Sequence, residues 1–213
     1  MKYQRIGITA LITFLTAVST PFTPNSLTLL STPAAFSQLA PSLTHDSKIC
    51  DIRSQSMSPT LKINRHVVIN QTAYRSQSPK RSDIVVFQPT KSMKRNVLPT
   101  NLHNLYIKRV IGLPGETVKV IRGKVYINNQ PLDEKYINDK PNYLVAPVKT
   151  PDNSYFVLGD NRNDSYDSHF WGFVPQELIR GKFVQKVGQN NKLGQRISTE
   201  PSIPLSRRSC NLY

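Results

Sequence analysis

Two cysteines and four histidines are spread over 213 residues, and no set of them has the spacing of metal ligands. Cys50 and Cys210 form no Cys-x-x-Cys, which argues against a thiolate metal centre or a dithiol redox pair. His45, His66, His103 and His169 contain no His-Glu-x-x-His, and neither a Walker loop nor a Gly-x-Ser-x-Gly elbow occurs. We therefore expect no metal and no nucleotide cofactor. Acidic residues are also few. Asp and Glu number 13 against 28 Lys and Arg, which gives a net charge of +15 and a pI near 10.0. A surplus of this kind attracts polyanions, either nucleic acid or an anionic lipid surface. The basic residues are scattered apart from Lys91, Lys94 and Arg95 and the pair Arg207 and Arg208. No zinc finger, basic helix or RNA-recognition signature is present. The expectation is an anionic membrane surface as neighbour, and no nucleic acid.

Long apolar runs are missing as well. Ile6 to Val18 is the most apolar stretch, preceded by Lys2 and Arg5. As a helix it would reach roughly 20 Å, short of the ~30 Å hydrocarbon core. A basic start and a short apolar run read as a secretory signal. A weaker stretch, 27–40, holds small-residue cut sites around Ala35-Phe36-Ser37. Cleavage, retention as an anchor and lodging at the interface all export the rest of the chain. The folded part is then expected on the extracytoplasmic side of a membrane. There the two cysteines can form one disulfide or stay as separate thiols.

Sixteen prolines and nine glycines favour short strands and turns over long helices. Strands are expected over 49–53, 66–70, 83–87, 105–111, 155–158 and 183–187. The runs 117–121 and 124–127 flank Arg122-Gly123, a hairpin signal. Ser58 and Pro59 suit the start of a helical turn. The expected organisation is a leader and linker over 1–46, an all-β, mostly antiparallel domain over 47–188, and a polar, basic tail over 189–213 outside the fold.

The chemistry centres on Ser54-Gln55-Ser56-Met57-Ser58-Pro59-Thr60-Leu61. A serine hydroxyl is a poor nucleophile until a base takes its proton, and no histidine stands nearby in sequence. Lys108, in Tyr106-Ile107-Lys108-Arg109, is the best candidate base. A lysine serves as a base only if burial disfavours its charged form, and an apolar strand provides such burial. Taken alone, a strand lysine whose amine reaches solvent is the plainer reading.

Five segments in order resemble type I signal peptidases. They are 54–61, Arg81-Ser82-Asp83-Ile84-Val85-Val86-Phe87, the run from Tyr106 to Glu116, Gly123-Lys124-Val125-Tyr126-Ile127-Asn128, and the run from Gly159 to Ser168. The resemblance spans roughly 48–188, and Asp167-Ser168-His169-Phe170-Trp171-Gly172 looks most like the cyanobacterial and thylakoid members. It implies a serine endopeptidase that removes N-terminal signal peptides from exported preproteins after small-x-small sequences, acting as a monomer. Ser56 would be the nucleophile and Lys108 the general base, with Ser165 orienting the lysine amine. The Ser54 hydroxyl and the Ser56 N–H would form the oxyanion hole. Met57, Leu61, Tyr106 and Ile107 would line the pocket before the cut, with Ile52 bordering it and the next pocket upstream. Asp160, Asn161, Arg162 and Asp167 would brace the site from behind. The substrate would bind as an added β-strand.

The chain departs from the family pattern in places. Arg53 stands where proline is usual, Ser82 replaces a common glycine, and His169 replaces an arginine, a weaker partner for Asp167. Two other readings fit the same residues. One is a narrow-substrate Ser–Lys processing peptidase of the conjugation-pilin type. The other is a non-catalytic module that binds extended peptides or a membrane.

Overall fold

The structure, a computed structural model, describes residues 46–96, 104–187 and 208–213. The expected leader and most of the tail (189–207) lie outside the described residues. The elements in chain order are β1 (Ser47–Ile52), β2 (His66–Asn70), β3 (Ile84–Phe87), α1 (Lys91–Asn96), β4 (Tyr106–Gly112), β5 (Thr117–Ile121) and β6 (Lys124–Ile127). They continue with β7 (Gln130–Pro131), β8 (Val145–Lys149), β9 (Ser154–Leu158), α2 (Ser168–Trp171), β10 (Val174–Pro175), β11 (Ile179–Lys186) and β12 (Arg208–Leu212). The described fold is predominantly β, as its turn-rich sequence implies.

Eight strands form one sheet in the order β10-β9-β4-β3-β11-β2-β1-β12, and four form a second in the order β7-β6-β5-β8. β3 and β9 are rich in β-branched and aromatic residues, β4 carries Lys108 and Arg109 among such residues, and all three are buried along nearly their whole length. The pairings within the larger sheet are antiparallel except β1 with β12, which is parallel. β12 also reaches β4 on its other side, through a parallel bridge between Leu105 and Leu212. The strands β4-β3-β11-β2-β1-β12 therefore close on themselves, and β12 fills the gap between β1 and β4.

The β5–β6 hairpin turns at Arg122-Gly123, both with positive φ (51° and 72°), the conformation of the tight turns that match strand twist. Three apolar clusters support the fold. One packs Ile52, Met57, Leu61 and Ile107 with β2 residues, and a second packs Phe87, Val110, Tyr155 and Trp171. The third lies between the sheets, around Val118, Val120, Phe156 and Leu158.

The structure differs from the sequence reading at two places near the site. Residues 55–61 form successive turns rather than a helical turn started by Ser58, and the Ser58–Pro59 bond is cis. The i→i+4 bond in this segment runs from the Leu61 N–H to the Met57 carbonyl at 2.8 Å rather than starting at Ser58, and the Ser56 carbonyl accepts the Asn161 N–H at 3.0 Å. The last six residues, expected outside the fold, are instead a strand and its continuation within the larger sheet. A disulfide between Cys50 and Cys210, with Cα atoms 4.8 Å apart, ties that strand to β1.

Candidate functional site

β4 and the loop after β1 bring the two candidate reactive groups together. Lys108 lies mid-strand, and its side chain is buried at 1% exposure. Its Nζ donates to Ser56 Oγ at 2.8 Å. The amine donates twice more, to the main-chain oxygens of Ile107 and Tyr213, each at 3.0 Å. Burial pushes the Lys108 amine down from 10.5 to about 8, while Asp167 and Asp160 pull the other way. Desolvation prevails because these carboxylates make no direct bond to the amine and are engaged elsewhere.

The Ser54 hydroxyl lies 2.9 Å from Ser56 Oγ, and the Ser56 N–H points at Ser54 Oγ at 3.4 Å. Both expected oxyanion donors thus sit beside the candidate nucleophile. Ser165 is buried, but its hydroxyl bonds to no partner and does not contact the lysine amine as the resemblance implied. The reason is a matter of donors. An ammonium has three N–H groups, and Ser56, Ile107 and Tyr213 take all three.

Ile52, Met57, Leu61 and Ile107 share one buried cluster, and Leu212 packs in the same cluster. Tyr106 falls in the neighbouring cluster instead, because alternate residues of β4 point to opposite faces. Its ring meets that of Tyr213 at 6.5 Å. Arg53 donates to Asp51 at 2.8 Å and to Asn211 Oδ1 at 2.7 Å.

Behind the Ser56–Lys108 pair, charge pairs with charge. Asp160 holds Arg109 through two bonds at 2.7 and 2.6 Å, and Arg162 holds Glu134 through both guanidinium ends. The Tyr136 ring lies 4.0 Å beneath Arg109. Asp167 accepts the Gly159 N–H at 2.9 Å and caps α2 by accepting from the His169 N–H. Its other tie is His169 Nδ1 at 2.7 Å, so the replacement of arginine by histidine keeps a contact at this carboxylate. Arg109, Glu134 and Tyr136 were given no role from sequence. Arg109 lay inside a matching segment, but nothing local to Glu134 announces its partner 28 residues on.

Gly159 was also passed over. A Cβ there would collide with the Ser56 carbonyl and the Ser165 side chain, so only glycine lets the β9 end approach the nucleophile loop. Among the described residues, no group of three His, Cys, Asp or Glu side chains could hold a metal ion. The arrangement suits attack by a hydroxyl on a carbonyl, with a buried amine as base.

Residues 34–187 match the family described as "Signal peptidase, peptidase S26". The chain is 49% identical over 144 residues to a signal peptidase I of Leptolyngbya laminosa, covering 68% of this chain and 70% of that one. It is 53% identical over 131 residues to a probable signal peptidase I-2 of Synechocystis sp., covering 62% of this chain and 58% of that one. To thylakoidal processing peptidase 1 of Arabidopsis thaliana it is 32% identical, over 80% of this chain and 51% of that one. The chain thus spans little more than half the length of the last two.

Proposed function

The chain belongs to the signal peptidase family, peptidase S26, and we propose that within it Ser56 and Lys108 form the catalytic dyad. It is a serine peptidase that processes signal peptides. The carrying observation is the 2.8 Å bond from the fully buried Lys108 amine to Ser56 Oγ. The neutral amine takes the serine proton as Oγ attacks the carbonyl that follows a small-x-small sequence. Negative charge then develops on the carbonyl oxygen, and the Ser54 hydroxyl and Ser56 N–H stabilise it. Lys108 returns the proton to the leaving amine, and water releases the acyl-enzyme through the same base.

Ser165 orients the lysine amine once one of its three bonds is given up. Ile52, Met57, Leu61 and Ile107 receive the inward side chains of a substrate lying as an extra strand. Asp160, Asn161, Arg162 and Asp167 brace the loop. The enzyme works as a monomer at the extracytoplasmic face of a membrane, its basic surface toward anionic lipid. Among the described residues, no helix is long and apolar enough to cross a membrane.

Ser56→Ala and Lys108→Ala should each lower preprotein cleavage by about 10³-fold or more with an unchanged circular-dichroism spectrum, and the double variant should be no worse. Cleavage at the normal rate by either single variant would refute the dyad.

A further inference from the structure

The groove between β1 and β4 is filled. Residues 210–213 run through it parallel to both walls. On the β1 side the Arg53 N–H donates to the Leu212 carbonyl at 2.8 Å. On the β4 side the Tyr213 N–H donates to Leu105, and the Ile107 N–H donates to Tyr213, at 3.0 and 2.9 Å. These are the ladder bonds an added peptide strand would make. Leu212 is fully buried among Ile52, Met57, Leu61 and Ile107, and Cys210, two residues back, packs against the same cluster. The inward positions are thus spaced by two, as in a small-x-small substrate. The segment continues to the dyad, where the Tyr213 oxygen takes one of the three Lys108 donors. An amine surrounded by three acceptors is matched to its protonated form, the form that takes no proton from serine.

We propose that Arg208–Tyr213 is an occupant of the substrate groove carried by the chain itself, pinned there by the Cys50–Cys210 disulfide, and that thiol reduction opens the enzyme. The proposal rests on the reading of Ser56, Lys108 and this groove given above. The covalent step needs a dithiol reductant. The disulfide accepts two electrons and two protons from it, leaving Cys50 and Cys210 as thiols, and the reductant becomes a disulfide. The non-covalent contacts that remain are the ladder, Leu212, the Arg53–Asn211 bond, the Lys108–Tyr213 bond and the Tyr106–Tyr213 ring contact, all of which a substrate strand can displace. A tethered ligand acts at an effective concentration near the millimolar range, so loosening the tether should relieve the block roughly tenfold or more.

The full chain, oxidised, is assayed on a preprotein with and without dithiothreitol, beside Cys210→Ser and Arg53→Ala. The expected result is a rise in kcat/KM of about tenfold on reduction. Cys210→Ser should be fast from the outset and indifferent to reductant, and Arg53→Ala should be intermediate while oxidised. A synthetic peptide of residues 208–213 should inhibit Cys210→Ser competitively. Equal kcat/KM in the oxidised and reduced protein, or a loss of activity on reduction, overturns the proposal and leaves the dyad intact. A second readout needs no chemistry: binding of a fluorescent signal peptide to Ser56→Ala. Tenfold tighter binding on reduction, in a protein whose wild type cleaves nothing, keeps the occupant and removes the dyad. Equal binding in both states removes the occupant.

Discussion

The two sides of the Lys108 amine are built from different materials. Behind it, Asp160–Arg109 and Glu134–Arg162 are buried pairs whose polar ends are matched to one another. In front of it lies an apolar trough crossed by main-chain bonds, one leucine and one disulfide. Charge in the interior is expensive to leave unmatched, so the rear wall tolerates no loss of a partner. Ladder bonds are indifferent to side-chain identity, so on the proposal above the front accepts one strand in place of another. A peptidase with the proposed dyad needs both properties at once.

Breaking the rear should have the largest effect. Asp160→Ala strands the Arg109 charge in the interior and should cost about 3–5 kcal/mol in urea unfolding. Next comes the loop that joins the two sides. Gly159→Ala pushes the Ser56 carbonyl aside, and a displacement of about 1 Å should lower kcat by roughly 10²-fold. If kcat holds, the nucleophile loop is more compliant than the rear wall implies.

A smaller effect is expected with pH. Lys108 serves as a base only when neutral, and its neutral fraction grows as pH rises through about 8. Cleavage should therefore rise roughly fivefold from pH 7 to pH 8 and level off above about pH 9. A flat profile over this range would mean that the amine is not the titrating base.

The smallest effect belongs to the front. Leu212 is as buried as Ile107, yet Leu212→Ala should lower global stability by less than about 1 kcal/mol, against about 2–5 for Ile107→Ala. A segment that can open by itself lends little to the global transition. Amide exchange at residues 211–213 would accelerate in the Leu212 variant. A full-sized global loss there would make β12 a permanent part of the fold.

The same contrast explains what was legible beforehand. Strands such as His66–Asn70, Ile84–Phe87 and the 117–127 hairpin announce themselves through β-branched runs and turn residues. The meeting of Ser56 and Lys108 was legible only through the ordered motifs, because 52 residues separate them. β12 escaped notice because Arg208-Ser209-Cys210-Asn211-Leu212 is polar and aperiodic. Its pairing depends on a partner 160 residues away. β8 escaped for a related reason: Val145–Lys149 is largely exposed and interrupted by Pro147. Ser165 was placed near the dyad, but which acceptor the amine would choose depends on Tyr213, which no local pattern connects to Lys108.

The parallel run of 210–213 between two fixed walls also sets a counting rule for any strand that replaces it. Side chains along such a strand face the trough at every second residue, and a slip by one turns each of them outward. Errors in the position of the cut should then come in steps of two residues rather than one. A ladder of fragments spaced by pairs, seen by mass spectrometry of a preprotein with several small residues near its junction, would record that frame directly.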